Sequence, residues 1–365
     1  MTQPTHGSLF SGYGGLGMAI EHVFDAKTIW HSEIDHWPAQ TLKQHWPDTP
    51  NLGDITRIDW DATPPVDILS GGSPCQNMST VGQREGIDGP KSSLWAHMRQ
   101  AITRLQPKLV IWENVYGALM PTGRTCPMGH GHATMAAHPT HTGQAGIARV
   151  LGDLADNGYD ARWMVVQSSH AGLPHARKRI FLIAHKDAIP PIRRRATANP
   201  NPGPLLPTPC ANFQQDWTSI PSHGATLVGQ LRDIHANTPP GSPTRWGRYS
   251  PAIDHATHTL VRVPPAPTIV AKNGTIQANP AFGEWMMGLP EHWITGIPNM
   301  PKFAAGKMIG NGVAPPQAQL ALTLILDSIH ADHWQGTTMA GPAPKPWAGK
   351  PVTDGLAWLK HKHPQ

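Results

Sequence analysis

Short apolar runs and helical patterns alternate along the first half of the chain. Runs at residues 28–32, 66–69, 109–112, 161–167 and 179–184 have the length and composition of buried strands. Helical spacing of apolar residues over 16–23, 94–105 and 147–154 falls between those runs. This alternation predicts an α/β domain built on a mostly parallel sheet.

The second half of the chain lacks this alternation and is rich in proline. Prolines are frequent from residue 189 to about 280, which predicts a linker and a smaller, loop-rich domain. Helical structure returns over 283–293, and a glycine turn at 308–312 leads into an apolar helix ending near residue 329. We therefore predict a large domain over 1–190, a small domain over 191–282, a returning segment over 283–333 and a tail over 334–365.

Composition narrows the class of protein. The chain has 365 residues, 39% of them hydrophobic, and three cysteines without a CxxC pair, which suits a reducing cytoplasm. No run is long enough to span a membrane and the N-terminus lacks a secretory pattern, so we expect a soluble cytoplasmic protein. Net charge is +5, and a basic stretch over 175–195 indicates either a polyanionic partner such as nucleic acid or a solvated surface.

A thiol follows the apolar run at 66–69. Gly71, Gly72 and Pro74 break regular structure and place Cys75 in the loop after a strand, where α/β proteins bind ligands. The polar segment 76–89 could form a lid over a substrate. The alternative is that Cys75 is a small buried hydrophobe.

A glycine-rich turn near the N-terminus indicates a nucleotide-like ligand. Gly12, Gly14 and Gly15 would let the backbone approach a ligand closely, and Glu33 lies 21 residues beyond Gly12. That spacing is typical of an acidic residue that binds a ribose, and Asp54 offers a second carboxylate. These features predict a site for an adenosine-containing cofactor.

Further charged residues lie at the ends of later strands. Glu113 follows the strand at 109–112, where it could cap a helix or face Cys75 across neighbouring parallel strands. Arg177 and Arg179 begin another strand and could hold a base or a phosphate. The His-rich segment 117–145 could bind a metal, but its irregular spacing favours an exposed insertion, so we expect no metal site.

Taken in order, these motifs resemble the DNA (cytosine-5) methyltransferase family of bacteria and phages over most of residues 7–330. The matching segments are FSGYGG at 10–15, SPCQ at 73–76, ENV at 113–115, RKR at 177–179 and GNGV at 310–313. The resemblance implies a Rossmann-like class I S-adenosylmethionine-dependent methyltransferase domain plus a target-recognition domain at about 190–280. It implies S-adenosyl-L-methionine as cofactor, double-stranded DNA as partner and a monomeric protein. It is also compatible with a cognate restriction endonuclease as a second partner.

The resemblance also assigns roles to residues. Cys75 would be the nucleophile that adds to carbon 6 of a flipped cytosine. Glu113 and Arg179 would hold the base, and Arg177 would support Arg179 as a further catalytic residue. Gln76 and Ser79 would contact DNA. The implied cofactor-binding residues are Phe10, Gly12, Gly14, Gly15, Leu16, Glu33, Ile34, Asp54, Ile55, Pro74, Asn311 and Val313.

Three departures and three alternatives accompany this interpretation. Ser73 replaces a proline common in the family, which could loosen the loop, and His175 replaces a glutamine before the two arginines. The His-rich insertion has no counterpart. The alternatives are the same chemistry on RNA, a catalytically silent DNA-binding protein, and a thiol-dependent dehydrogenase. The target sequence cannot be read from residues 190–280, because base contacts depend on loop geometry.

Overall fold

A six-stranded sheet forms the centre of the computed structural model, which describes residues 3–73, 94–119, 146–186, 246, 249–270, 274 and 276–336. The strand order is β2-β1-β3-β4-β6-β5. All pairings are parallel except those of β6, which runs antiparallel to both of its neighbours. The strands are β1 (Thr5–Leu9), β2 (Lys27–Ser32), β3 (Ile68–Gly71), β4 (Leu109–Val115), β5 (Asp160–Gln167) and β6 (Lys178–His185). The predicted α/β class and mostly parallel sheet are confirmed.

Helices cover both faces of this sheet. The N-terminal ones are α1 (Gly15–Phe24), α2 (His36–His45), α3 (Leu94–Leu105) and α4 (Gly146–Asp156). The later part of the described chain contributes α5 (Ser250–Leu260), the hairpin β7 (Thr268–Val270) and β8 (Ile276–Ala278), α6 (Pro280–Met286), α7 (Lys302–Asn311) and α8 (Pro315–Gly336).

Two hydrophobic clusters lie on opposite faces of the sheet. On one face α3 and α4 pack against Trp112 and Val110 of β4. On the other face α1 and α8 pack against Ile111 of the same strand. Since successive side chains of a strand point to opposite faces, the continuous apolar run of β4 fills both clusters.

Two predicted boundaries were wrong. We expected the strand at 109–112 to end before Glu113, but β4 continues to Val115 because it pairs with β6 as far as the Val115 and Arg179 partners. We also expected a glycine turn from residue 308, whereas α7 continues to Asn311 and the Gly312 N–H donates to the Met308 carbonyl. The turn between α7 and α8 therefore comprises only residues 312–314.

No helix in the described part of the chain combines the length and apolar character that crossing a membrane requires.

Candidate active site

The first glycine turn, residues 10–15, connects β1 to α1. Gly12 and Gly14 adopt positive φ angles of 56° and 88°, which glycine tolerates best. Phe10 also has a positive φ of 51°, an uncommon conformation for a residue with a side chain. Residues in such conformations recur at ligand sites, and the position of Phe10 agrees with the predicted cofactor turn.

Glu33, immediately after β2, is joined to this turn by its carboxylate. Oε2 accepts a hydrogen bond from the Gly12 N–H at 2.8 Å, and Oε1 accepts one from the Asp35 N–H at 2.9 Å. Burial raises the pKa of Glu33, while these N–H donors act in the opposite direction. The carboxylate is therefore anchored on the same side of the sheet as the glycine turn.

Asn51 orients the Glu33 backbone, a role that the sequence analysis missed. Its Oδ1 accepts from the Glu33 N–H at 2.9 Å and the Gly53 N–H at 3.2 Å, and its Nδ2 donates to the Glu33 carbonyl at 2.9 Å. Asparagine is only a general turn signal, so the sequence did not indicate this bridge.

Space remains beside these groups for a ligand. A Cβ added at Gly12 or at Gly53 would meet no atom within 4 Å. Asp54 follows Gly53, and its Oδ1 accepts a hydrogen bond from the Thr56 N–H at 2.9 Å. Backbone N–H and C=O groups, carboxylates and open space between them suit the ribose and base of an adenosine-containing cofactor.

The turn between α7 and α8 packs directly against the first glycine turn. The Tyr13 hydroxyl donates to the Val313 carbonyl at 2.8 Å, and Tyr13 is almost fully buried. A Cβ on Gly312 would lie 1.9 Å from the Tyr13 ring, and one on Gly15 would lie 2.1 Å from the Val313 oxygen. Only glycine at both positions allows this approach, which brings the beginning and the end of the described chain to one site.

The other predicted cofactor residues occupy different environments. Ile34 is 69% exposed beside Glu33, whereas Ile55 is buried under the following turn. The Leu16 side chain lies in the core between α1 and α8, so only its backbone faces the site. Asn311 is the last residue of α7.

The second half of the site lies between β3 and β4. Gly72 passes so close to Glu113 that an added Cβ would lie 2.9 Å from Oε2. The next residue, Ser73, accepts from Trp112 Nε1 through its hydroxyl and from Asn114 Nδ2 through its carbonyl, each at 3.1 Å. We expected Ser73 to loosen this segment, but Ser73 itself is buried and anchored on both sides.

Glu113 and Arg179 form an ion pair across β4 and β6. Arg179 Nε lies 3.2 Å from Glu113 Oε1, and Glu113 is only 8% exposed. Burial raises the pKa of Glu113, and the positive charges of Arg179 and Arg177 oppose that rise. The Glu113 carboxyl is therefore held in place by its guanidinium partner at a site that burial shields from water.

Arg177 lies two residues before Arg179 but contacts different groups. Its Nη1 and Nη2 donate to the Gly310 and Gly312 carbonyls at 3.0 and 2.6 Å. Burial lowers the pKa of Arg177 to about 9, which leaves it charged at neutral pH. The predicted arginine pair is thus divided between Glu113 and the turn after α7.

His175 occupies the position of the family's glutamine, and its ring makes a structural hydrogen bond. Its Nε2 lies 3.1 Å from the Met286 carbonyl, so this nitrogen must carry the proton and donate. Burial lowers the pKa of His175 to about 3, and the ring is neutral at neutral pH. His175 therefore ties the start of β6 to the end of α6.

Several predicted residues lie outside the described part of the chain. These are Pro74, Cys75, Gln76 and Ser79, together with the proposed lid, most of the His-rich insertion and the whole segment 190–245. Among the described residues, no group of three His, Cys, Asp or Glu side chains could hold a metal ion.

Comparison with known proteins agrees with this geometry. The sequence model of the C-5 cytosine-specific DNA methylases matches residues 5–246, which is well over half of the chain. The chain belongs to this family. Within it, a type II methyltransferase of Herpetosiphon aurantiacus, M.HgiBI, is 31% identical over 48% of this chain, which spans only 36% of that relative's length. M.NgoFVII of Neisseria gonorrhoeae is 23% identical over 90% of this chain and 87% of its own.

Solved structures of methyltransferases share the fold of this family member. The S. pombe Dnmt2 methyltransferase aligns over 90% of this chain and 99% of its own with a TM-score of 0.52 and 12% identity. An E. coli protein described as a DNA modification methyltransferase encoded within a prophage aligns over 89% of this chain and 100% of its own, with a TM-score of 0.51 and 18% identity. These likenesses confirm the predicted class of fold.

Proposed function

We propose that this chain is an S-adenosylmethionine-dependent DNA (cytosine-5-)-methyltransferase that modifies a flipped cytosine through a covalent bond between Cys75 and carbon 6. The observation that carries the proposal is the buried pair of Glu113 and Arg179, which lies beside the segment 72–73 that leads directly to Cys75. A carboxyl and a guanidinium fixed next to a thiol are the groups that activation of a cytosine ring requires.

Glu113 is proposed to recognise the Watson–Crick edge of cytosine. In its protonated form it donates to N3, and its other oxygen accepts from the exocyclic amine. Uracil and thymine present N3–H and O4 instead, so they would set donor against donor and acceptor against acceptor. Arg179 would hold the O2 side. Both groups are immobilised by their contact with each other and by burial, so they stabilise charge on the ring without reorganising.

Cys75 is proposed to supply the nucleophile. Its thiolate forms a bond to carbon 6, which makes carbon 5 electron-rich enough to accept a methyl group. After transfer, a base removes the carbon 5 proton and the bond between sulfur and carbon 6 breaks, which regenerates the thiolate. The positive charge of Arg179, which pairs with Glu113 beside the segment 72–73, would favour the thiolate form.

S-adenosyl-L-methionine, when bound, supplies an electrophilic methyl group. Glu33 would accept hydrogen bonds from the ribose, because its carboxylate is already oriented by the Gly12 and Asp35 N–H groups. Asp54 would meet the adenine amino group and exposed Ile34 would cover the ring. The turn at 312–313 would close the pocket on the side of Tyr13.

Double-stranded DNA is the proposed substrate, with segment 191–282 reading its sequence. The names of M.HgiBI and M.NgoFVII identify both as type II methyltransferases, which supports a DNA target and a possible partner endonuclease. The target base must leave the duplex, since neither Cys75 nor Glu113 could reach a ring stacked between neighbours.

The decisive experiment is bisulfite sequencing of DNA from a methylation-deficient host that expresses this protein, with Cys75→Ser as the matched control. We expect protected cytosines in one short recurring sequence with the wild type and none with the variant. Loss of activity in Cys75→Ser should leave cofactor binding intact, because Cys75 is not among the cofactor residues.

The alternatives give different outcomes. If wild-type protein protects no cytosine in DNA but labels tRNA with methyl groups, the substrate is RNA. If it binds DNA and transfers no methyl group to either, the DNA-binding alternative holds. Normal protection by Cys75→Ser would contradict the covalent mechanism.

A further inference from the structure

Arg177 and Arg179 are separated by one residue but belong to different halves of the site. Arg179 pairs with Glu113, on the side where cytosine is proposed to bind. Arg177 is 7% exposed, and its two terminal nitrogens donate to the Gly310 and Gly312 carbonyls. The two guanidinium groups are therefore held by different partners.

The two carbonyls that Arg177 contacts lie at the C-terminal end of α7, which ends at Asn311. Carbonyls in the last turn of a helix have no partner inside the helix and carry its partial negative charge. A planar guanidinium can bind two such oxygens at once, and a lysine ammonium cannot reproduce that fork. Arg177 thus fixes the position of the turn that follows α7.

The first glycine turn holds this same segment from the other side. Tyr13 donates to the Val313 carbonyl, and its ring packs against Gly312. Trp293 Nε1 in turn donates to the Tyr13 carbonyl at 2.9 Å. Residues 310–313 are consequently clamped between Arg177 at the start of β6 and Tyr13 in the first glycine turn.

We infer that Arg177 is a positioning residue of the cofactor pocket and that Arg179 alone contacts the cytosine. Arg177 acts through the backbone of residues 310–313, which places Asn311 and Val313 beside the first glycine turn. This assignment deepens the proposed function and rests on it. The sequence-based expectation was that Arg177 supports Arg179 at the base, whereas the contacts of Arg177 are with the turn after α7.

The test compares Arg177→Lys with Arg179→Lys in the full-length protein. Calorimetry without DNA measures the Kd for S-adenosylmethionine, and steady-state assays measure kcat at saturating cofactor and DNA. We expect Arg177→Lys to raise the cofactor Kd roughly tenfold to a hundredfold, the range for losing hydrogen bonds from a charged group, with kcat within about threefold of wild type. Arg179→Lys should show the reverse, with a normal Kd and a large loss of kcat.

Tyr13→Phe provides a second variant in case Arg177→Lys fails to fold. It removes only the hydroxyl that donates to Val313, and we expect a rise of roughly threefold to tenfold in the cofactor Kd. Thermal unfolding of each variant shows whether a change in Kd follows from global destabilisation.

Several results would overturn the assignment. These are a normal Kd with a loss of kcat in Arg177→Lys, or, where that variant is unfolded, a normal Kd in Tyr13→Phe. Wild-type protein that binds S-adenosylmethionine but methylates nothing would contradict the proposed function alone, since the Kd comparison still decides the role of Arg177. Wild-type protein that does not bind S-adenosylmethionine would contradict both.

Discussion

The carboxyl groups of half-buried Glu33 and buried Glu113 show how neighbouring residues decide what an acidic side chain can do. Burial raises the pKa of both. Backbone N–H groups of Gly12 and Asp35 hold Glu33 as an acceptor, whereas Arg179 holds Glu113. An acceptor fixed by amides suits ribose hydroxyls, and a carboxyl held by a guanidinium suits the Watson–Crick edge of cytosine.

Replacement of Glu33 should affect cofactor binding before it affects chemistry. We expect Glu33→Ala to raise the Kd for S-adenosylmethionine about tenfold or more, since hydrogen bonds to a charged acceptor are lost. Glu33→Gln keeps the size of the side chain but loses the charge, and it should weaken binding in the same direction. Titration calorimetry measures both. An unchanged Kd in Glu33→Ala would show that the ribose binds elsewhere.

Replacement of Glu113 should affect chemistry first. Glu113→Gln keeps the shape of the side chain but leaves Arg179 beside a neutral amide that cannot share the carboxyl proton. We expect kcat to fall about a hundredfold or more, the usual size of a lost acid–base contribution, with the cofactor Kd within about threefold of wild type. Single-turnover assays at saturating DNA measure the step. A normal rate would exclude Glu113 from recognition of N3.

Residue-scale prediction succeeded where a short-range signal existed. The spacing of Glu33 from Gly12 indicated their proximity, and the structure joins them by a hydrogen bond of 2.8 Å. The contacts of Arg177 could not be read from the sequence, because Gly310 lies 133 residues away and only its backbone takes part. Main-chain acceptors leave no residue type to recognise.

At the scale of elements, the junction between α7 and α8 depends on glycine for steric reasons. Gly312 has a φ of −78°, which any residue can adopt, so its requirement for glycine comes only from the Tyr13 ring. We expect Gly312→Ala to lower the free energy of unfolding by roughly 1–3 kcal/mol, as overpacking usually does, and to weaken cofactor binding by displacing Val313. Urea unfolding gives the first quantity.

Gly306 provides the matched control for this substitution. It lies in the same helix, α7, and a Cβ there would meet no atom within 4 Å. Gly306→Ala should therefore be neutral or stabilise the fold by up to about 1 kcal/mol, because alanine favours a helix over glycine. If the two alanine variants unfold at the same urea concentration, close packing at Gly312 is not what selects glycine.

Element prediction was most accurate where one face of a helix or strand has an apolar pattern. The helix predicted over 94–105 matches α3 in full. Element prediction failed at β4. The polar residues Glu113 and Asn114 suggested the end of a strand, but both pair with β6. Pairing with a strand some 65 residues away extends β4 past the point where local polarity suggests a loop, since a ladder depends on both partners.

At the scale of the whole molecule, the last helix of the described chain packs against the first helix and the central sheet. Helix α8 packs on α1, on the edge strand β5 and on its neighbour β6. The site residues of α1 and of the turn after α7 thus belong to one packed unit. A disturbance of the interior should therefore reach both halves of the site together.

Three buried histidines make this interior sensitive to acid. Burial lowers the pKa of His6 and His175 to about 3 and that of His31 to about 4. An unfolded chain has histidines near their usual pKa of about 6.5, so it binds more protons than the folded chain below that pH. Stability from these residues is complete above pH 6.5 and is lost as the pH falls toward the folded pKa values.

The free energy of unfolding that these histidines lose on acidification is a large part of the total for a protein of ordinary stability. Each histidine contributes about 1.4 kcal/mol per pH unit below 6.5, compared with a total stability of about 5–15 kcal/mol. Glu33 and Glu113 act in the opposite direction, because their raised pKa values let the folded chain bind protons first. We expect the net free energy of unfolding, from urea titrations between pH 7 and 5.5, to fall with acidification.

His31 allows the origin of this slope to be tested. It is 1% exposed, and neither ring nitrogen has a hydrogen-bond partner among the described residues, so an apolar side chain can replace it without breaking a network. His31→Leu should reduce the pH slope by up to about 1.4 kcal/mol per unit. His22→Gln, at an exposed position of α1, is the matched control. Equal slopes in wild type and His31→Leu would show that acid sensitivity arises outside this buried histidine.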